Sequence, residues 1–431
     1  MSENVKVSLI IPVCNVEKYL PEALDSAVGQ TLRDIEIICV DDGSADSSGE
    51  ILDTYAADDS RIRVLHKINE GYGKTMNIGL EMAKGKYVAI LEPDDYLDIH
   101  MMKDLLAIAE GHQLDFVKSD FAFFEGEQGN YHNRMTHIYW KENMYGKVLS
   151  KVEQKELFRG YMAYWTCLYR RDFIEQNNIR FNETAGASYQ DTGFWFQTMV
   201  LAKRIYLHRG CYYHYRQDNP GASTKSTNKV YNITVEYDFI RDQLEKRGMV
   251  QEYWPQYIAM HFIGQRDTLY RIDDEYMYDF IMHVAKIFNN YAETGRLDES
   301  FMDKQDRVML RDIIRNPKEF YRKFTQIPMY IHDCLKKYES FYIYGAGTRG
   351  LKIYRFLTED DKNRFKGFVV TARGGVESVD GYCVYDIDNI DSDSKTAFVI
   401  GVTERYESEI RHILEGHGIS NIVSLSEGMV P

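Results

Sequence analysis

VSLIIPVCN (residues 7–15), EIICVDDGSADSS (36–48) and NEGYGKTMNIGLEMAKGKYVAILEPDDYL (69–97) follow one another at the start of the chain. Each contains a short run rich in Val and Ile that ends in small, polar or acidic residues. That is the pattern of strands whose carboxyl ends form the ligand edge of a parallel sheet. The segments between them predict helices over 20–29, 47–57 and 75–83, and IRVLH (62–66) predicts a further strand. Strand and helix alternating at this spacing imply a right-handed, helix-covered parallel sheet, an α/β fold.

With 431 residues the chain is long enough for two or three cores. Its net charge of −14 argues against nucleic acid as a partner, because phosphate contacts require clustered Lys and Arg. The six cysteines (14, 39, 167, 211, 334 and 383) are scattered, with no C-x-x-C pair, so they read as reduced thiols in a cytoplasmic protein. The amino-terminal apolar run stops at Pro12 and lacks a cleavage-type tail, which makes it a first strand and not a signal peptide. No apolar stretch approaches the roughly 20 residues that span a bilayer.

Three regions follow from the patterning: an α/β domain over 1–227, a helical connector over 228–337, and a second α/β module over 338–431. The connector has helical periodicity with few Gly or Pro. From 304 to 337 it carries nine Lys or Arg against four Asp or Glu, with Phe320, Tyr321, Phe324, Ile327, Met329 and Tyr330 interleaved. Such a segment suits contact with an anionic membrane face, or equally a helix packed between domains with its charges solvated. Pro317 and Pro328 are expected to interrupt any long helix there.

In VDDGSADSS (40–48) a strand delivers Asp41 and Asp42 to its end, Gly43 permits a tight turn, and the serines can cap the next helix. A carboxylate there suits a base imino group, or else caps the helix. In NEGYGK (69–74), Gly71 and Gly73 allow close approach of backbone to a ligand, with Asn69, Lys74 and Asn77 beside them. In YVAILEPDD (87–95), Glu92 and Asp94 stand at alternate positions after an apolar strand, with Asp95 adjacent. Hard oxygen ligands so placed suit a divalent cation shared with a diphosphate.

Together these motifs resemble family 2 of the glycosyltransferases, inverting enzymes with the GT-A fold, across roughly residues 5 to 225. The resemblance implies donor contacts from Pro12, Val13, Asn15, Asp41, Asp42, Asn69, Gly71, Lys74, Asn77, Glu92, Pro93, Asp94 and Arg216. It makes EPD (92–94) the D-x-D box, with Glu92 where Asp is usual and Mn²⁺ or Mg²⁺ on Asp94. In FNETAGASYQDTGFWFQTM (181–199), Asp191 matches the second acid of the family's Glu-Asp pair, and Gln190 replaces the first. The implied role of Asp191 is general base, with a helix N-cap as the rival reading. LHRGCYYHYRQDNPGASTKS (207–226) resembles the family's Tyr-x-Tyr-Arg segment: Arg216 for diphosphate, His214 for metal, and a Gly-Ala-Ser-Thr lid. Trp140, Trp165 and Trp195 fall around the presumed acceptor side, with Trp195 assigned to the core.

In FYIYGAGTRGLKIYRF (341–356), Gly345, Gly347 and Gly350 follow a strand and open a helix, the context of a phosphate-binding turn. The next strand offers Val370, Thr371 and Arg373 where a dinucleotide-binding fold needs an acid for the ribose. The module is similar to the small Rossmann-like domains that precede the catalytic parts of some bacterial sugar acyltransferases. The expected activity is metal-dependent, inverting transfer from a nucleotide diphospho-sugar, uridine-linked, to a surface polysaccharide or lipid-linked glycan acceptor. The alternatives are a bifunctional enzyme with nicotinamide chemistry in the last module, or a non-catalytic nucleotide-sugar binder. Self-association is left open.

Overall fold

The structure is a computed structural model that describes residues 5–127, 130–222, 227, 229–371, 378–379, 382–390, 393–402 and 404–424. Packing divides the chain into two compact units, Met1–Ile272 with Asp298–Phe301, and Asp273–Leu297 with Met302–Pro431.

The first unit opens with β1 (Val7–Val13), α1 (Leu20–Val28), β2 (Ile35–Asp42), α2 (Ser48–Asp58), β3 (Ile62–Lys67), α3 (Tyr72–Met82) and β4 (Tyr87–Ile90). The four strands pair in parallel in the order β3–β2–β1–β4. β1 and β2 are buried along their whole length, which is why they read as continuous apolar runs and not as alternating ones. The chain runs outward from β1 to β3 and then returns to the other side of β1. The carboxyl ends of β1 and β4 therefore flank a crevice, the place where open α/β sheets bind ligands.

After β5 (Tyr96–Leu97) and α4 (Met101–Gly111) come β6 (Phe116–Glu127), β7 (Asn130–Thr136), α5 (Lys151–Glu156), β8 (Cys167–Arg170), α6 (Arg171–Gln176), α7 (Gln190–Leu201) and β9 (Ile205–Arg216). These strands extend the sheet as β4–β8–β6–β9–β5, with β7 paired to β6. Here the pairing is antiparallel except between β6 and β9. α8 (Asn232–Lys246) and α9 (Val250–Leu269) complete this unit, α8 packing against both α7 and α9. The mixed sheet and its covering helices form the expected GT-A type of fold.

The second unit contains α10 (Asp274–Glu293), α11 (Lys304–Arg315) and α12 (Pro317–Leu335), then β10 (Ser340–Tyr344), α13 (Thr348–Arg355), α14 (Glu359–Arg364), β11 (Phe365–Val370), β12 (Ser378–Val379), β13 (Tyr382–Asp386), β14 (Thr396–Ile400), α15 (Glu404–Gly416) and β15 (Ile422–Ser424). Its strands are ordered β12–β13–β11–β10–β14–β15, parallel except for β12.

Pro317 occupies the first turn of α12, where its missing N–H costs nothing, but Pro328 lies inside that helix and does not end it, contrary to expectation. Burial of one face, by Phe320, Phe324, Ile327, Ile331 and Leu335, outweighs the lost hydrogen bond. The same burial removes Phe320, Phe324 and Ile327 from the membrane-facing role their spacing had suggested, and leaves Met329 exposed. Among the described residues no helix is long and apolar enough to cross a membrane.

Candidate active site

The crevice between the ends of β1 and β4 is a cleft of about 360 Å³. Pro12 and Val13 line it from β1, Asp42 from β2, and Glu92, Pro93 and Asp94 from the segment after β4. Asn69 lines it too, its Nδ2 donating to the Asp42 carbonyl at 2.9 Å. Residues 186–191, which end in Asp191, also line it.

Asp94 is half-buried, and its Oδ2 accepts from Asn219 Nδ2 at 2.7 Å. Glu92 accepts from the hydroxyls of Tyr72, at 2.5 Å, and Tyr164. Burial pushes the Glu92 carboxyl up to about 7 against the pull of those two hydrogen bonds. Asp95 lies beneath: it accepts from Tyr213 Oη and the Arg216 N–H, both at 2.8 Å, and burial followed by the charge of Asp94 raises it well above the usual carboxylate range. Three adjacent acids thus have three environments, and Asp94 is the one that lines the cleft without phenol donors.

Asp191 stands in the first turn of α7, and the N-cap position belongs to Tyr189, in left-handed conformation at φ 65°. Asp191 therefore does not cap the helix. Burial raises its carboxyl to about 6, while backbone N–H groups of the first turn favour the charged form.

Several residues expected to touch a ligand also hold the loops that shape the cleft. The Asp42 carboxylate accepts from the Glu70 and Gly71 N–H groups at 2.8 and 3.0 Å and pairs with Lys67. Gly71, at φ 94°, and Gly73 permit close approach of backbone, but what approaches is the 182–186 segment. A Cβ on Gly73 would sit 1.9 Å from the Asn182 carbonyl oxygen. Asn77 exchanges hydrogen bonds with the Phe181 backbone at 2.9 and 3.0 Å, and Lys74 pairs with Glu183 at 3.4 Å. Asp41 accepts from Ser44 N and contacts His66, and Asn15 Oδ1 accepts from Ala45 N.

Arg216 is nearly buried; it pairs with Glu22 at 2.5 Å and Asp218 at 3.2 Å, and donates to the Asp94 carbonyl at 2.9 Å. His214 is not among the cleft-lining residues: its ring stacks on Tyr96 at 4.2 Å, and burial lowers it to about 4. Neither Arg216 nor His214 lines the cleft, whereas Asp94 does. Gln190 is buried and wires residues 184–188 together: Oε1 accepts from Ser188 N at 2.6 Å, and Nε2 donates to Thr184 Oγ1 at 2.9 Å and the Gly186 carbonyl at 3.1 Å.

Sequence reasoning missed Tyr72, Tyr164 and Asn219. Tyr72 lay inside a quoted motif, but nothing local announces that its hydroxyl meets Glu92. Trp165 lines the cleft, Trp195 is core, and Trp140 is exposed. Of the expected lid, Gly221 and Ala222 line the cleft, whereas Ser223 and Thr224 lie outside the described residues.

In the second unit, Gly345 has φ 110° and a Cβ there would meet the Gly401 carbonyl oxygen at 2.8 Å. A Cβ on Gly350 would lie 1.9 Å from the Gly345 carbonyl oxygen, while Gly347 faces open space. A tight turn, an approachable backbone and a close helix–strand contact are the three duties of glycines in a phosphate-binding turn. β11 ends at Val370 and Thr371 follows it; Arg373 lies outside the described residues.

The family model for glycosyl transferase family 2 matches residues 8–177. The glycosyltransferase YibD of Escherichia coli, itself uncharacterized, is 32% identical over 255 residues, covering 57% of this chain and 72% of that protein. The chain belongs to glycosyl transferase family 2. The uncharacterized glycosyltransferase EpsJ of Bacillus subtilis is 35% identical over 225 residues, covering 51% of this chain and 63% of EpsJ. The chain thus spans somewhat less than two thirds of that relative. Among solved structures, S. aureus TarS 1–349 superposes with a TM-score of 0.54 at 20% identity, covering 74% of this chain and 89% of that one. That likeness shows the fold, and a complex of the same TarS fragment with UDP-GlcNAc is also known.

Proposed function

We propose that this family 2 member transfers a sugar, with inversion, from a uridine diphospho-sugar to a hydroxyl of a bacterial surface polysaccharide or related glycoconjugate. The observation that carries the reading is that Asp94 and Asp191, about a hundred residues apart in the chain, line one cleft at the switch point of the sheet. The UDP-GlcNAc complex of TarS supports a uridine-linked donor, and the family resemblance supplies the acceptor class.

Asp191 acts as the base. As the acceptor oxygen bonds to the anomeric carbon, its proton passes to the Asp191 carboxylate, the bond to the diphosphate breaks, and the nucleoside diphosphate leaves from the opposite face. Burial suits Asp191 to this role, since a carboxylate raised to about 6 is a stronger base than an exposed one and is still ionised at neutral pH. Asp94 is a hard oxygen donor at the cleft wall, and a cation held by one carboxylate, water and substrate phosphates needs no more from the protein. A divalent ion there would neutralise charge building on the leaving diphosphate. Glu92, held by two phenols, keeps the floor beside Asp94 in place and faces the donor ribose.

For the second unit we take the 345–350 turn as a phosphate-binding turn in a Rossmann-like module with a binding role, and we retain domain limits at 227/228 and 337/338 as the functional division. The test of the main reading is release of free nucleotide from uridine, guanosine and thymidine diphospho-sugars with Mn²⁺, Mg²⁺ or chelator. Cation-dependent turnover of a uridine-linked donor, lost in Asp94→Ala and Asp191→Asn, is expected. Absence of both turnover and UDP binding by calorimetry would end the enzyme reading.

A further inference from the structure

Outside the cleft proper, a strip of aromatic side chains crosses the sheet. Trp165 and Tyr215 both line the cleft and stack at 5.2 Å with 13° between their planes. Tyr215 of β9 lies opposite Phe123 of β6, ring centres 5.7 Å apart, and Phe123 lies opposite Arg134 of β7. Residues paired across neighbouring strands share a face, so the strip runs continuously from the cleft to the sheet margin. The Arg134 guanidinium sits 4.7 Å from the Phe123 ring centre and has no ion-pair partner among the described residues. Tyr161 stands edge-on to Phe123 at 6.3 Å and to Phe121 at 5.5 Å, yet is 51% exposed.

The segment that presents Tyr161 is held by two costly devices. Lys118, 1% exposed, directs its ammonium into this segment and donates to the carbonyls of Tyr161, at 2.9 Å, and Met162. Burial pulls Lys118 down to about 8, a sign of how poorly the site solvates a cation. Ala163 is held at φ 24°, outside the regions comfortable for a residue with a Cβ. A tyrosine that merely covered Phe121 and Phe123 would require neither a buried ammonium nor a strained backbone.

We propose that this strip is the track of a multi-sugar acceptor, with the reacting sugar at Asp191 and the preceding sugars laid over Tyr215, Phe123 and Tyr161. The assignment rests on the glycosyl transfer proposed above. Continuity with the cleft selects the occupant, because a chain whose end hydroxyl reaches Asp191 has to leave the cleft along one of its walls, and this wall is aromatic. Sugar rings present C–H faces to aromatic rings and hydroxyls at their edges, and Arg134 supplies donors for those hydroxyls at the far end.

The test uses the full chain with UDP bound, probed on an array of bacterial polysaccharide fragments of one to six sugars. Tyr161→Ala and Arg134→Ala are compared with the native protein, and calorimetry with UDP reports on the donor site. The expected result is binding that strengthens with fragment length up to at least three sugars, and falls about tenfold for the longer fragments in Tyr161→Ala. Arg134→Ala should lose affinity only for the longest fragments. Binding that does not depend on length, equal binding by both variants, or no fragment bound while UDP binds would each overturn the track and leave the donor reading standing. Failure to bind UDP would instead strike the proposed function. If Tyr161→Ala proves unfolded by circular dichroism, Tyr161→Ser and Arg134→Ala decide by the same criteria.

Discussion

Replacing Gln190 by Glu restores the residue that the family resemblance expects beside the base, and here it should do harm. The Gln190 side chain is 1% exposed and uses both ends of its amide: the oxygen takes the Ser188 N–H, and the nitrogen serves Thr184 Oγ1 and the Gly186 carbonyl. A carboxylate can keep the first bond. The Thr184 hydroxyl can turn to donate, but the Gly186 carbonyl keeps only the Tyr72 N–H at 2.9 Å, loses the amide donor and faces a charged oxygen near 3.1 Å. One buried hydrogen bond lost, with a carboxylate turned towards a carbonyl oxygen, costs about 1–2 kcal/mol. At about 2–4 °C per kcal/mol for a domain of this size, the first unit should melt several degrees lower at pH 8. The sign with pH follows from linkage. The new Glu would have a folded pKa raised above its unfolded value, so the variant is closest to native below the unfolded pKa and loses ground as pH rises towards the folded one. Two neighbouring buried carboxyls resist ionising together, so the acid limb of turnover should also move above that of the native protein. Thermal melts at pH 5 and pH 8 with a pH–rate profile test this. An unchanged melting temperature at both pH values, with an unmoved acid limb, would refute the claim that the Gln190 amide organises the loop carrying Asp191.

In the native protein, kcat/KM should rise with pH through about 6 and then level, because Asp191 as the proposed base has to be ionised to accept a proton, and burial raises its carboxyl to about that value. Asp191→Asn should abolish that limb and cost about 10²- to 10⁴-fold in rate with UDP affinity kept, as read by steady-state kinetics and calorimetry. Gly73→Ala should destabilise the first unit by about 1–3 kcal/mol in urea titration, since its Cβ would meet a backbone carbonyl that cannot withdraw without moving residues 181–183. Arg216→Ala should cost about 1–2 kcal/mol, because it removes the cation paired with Glu22 and Asp218, which keep the Tyr131 hydroxyl and the Gly126 N–H, and frees the Asp94 carbonyl. If Arg216→Ala lowered UDP affinity with no loss of stability, Arg216 would belong to the donor site and not to its floor.

The strands of the first sheet were legible because β1, β2 and β4 are buried on both faces, and nothing but apolar residues fits there. The position of Asp94 in the cleft lining was legible because it follows directly on the buried strand β4 at the carboxyl edge of the sheet. Helix α3 was placed three residues late, since its start at Tyr72 is set by Asp42 holding the Gly71 N–H, a contact across 29 positions that no local signal carries. The same holds for Tyr72 and Tyr164, which meet each other and Glu92 from three separate stretches. Pro328 misled because a proline's cost is local, whereas the burial that outweighs it is tertiary.

The residues at strand ends raise a more general difficulty. A loop at the carboxyl edge of a sheet exposes backbone N–H groups that need partners, and a bound nucleotide exposes polar groups that need them as well. Asp and Asn after a strand, and glycines before a helix, meet either need, so their type and spacing do not separate the two. In this chain Asp42 grips the Gly71 loop, Gly71 and Gly73 admit the 182–186 segment, Asn77 fastens Phe181, and Gln190 ties that segment to the start of α7. The series leads from the end of β2 to Asp191. Much of the polar motif that reads as donor contacts therefore also serves as scaffold for the loop carrying Asp191, the proposed base, which lines the same cleft as Asp94. On this reading, substitutions along the series should lower kcat by displacing Asp191 and leave nucleotide affinity nearly unchanged, whereas substitutions at Asp94 should weaken both.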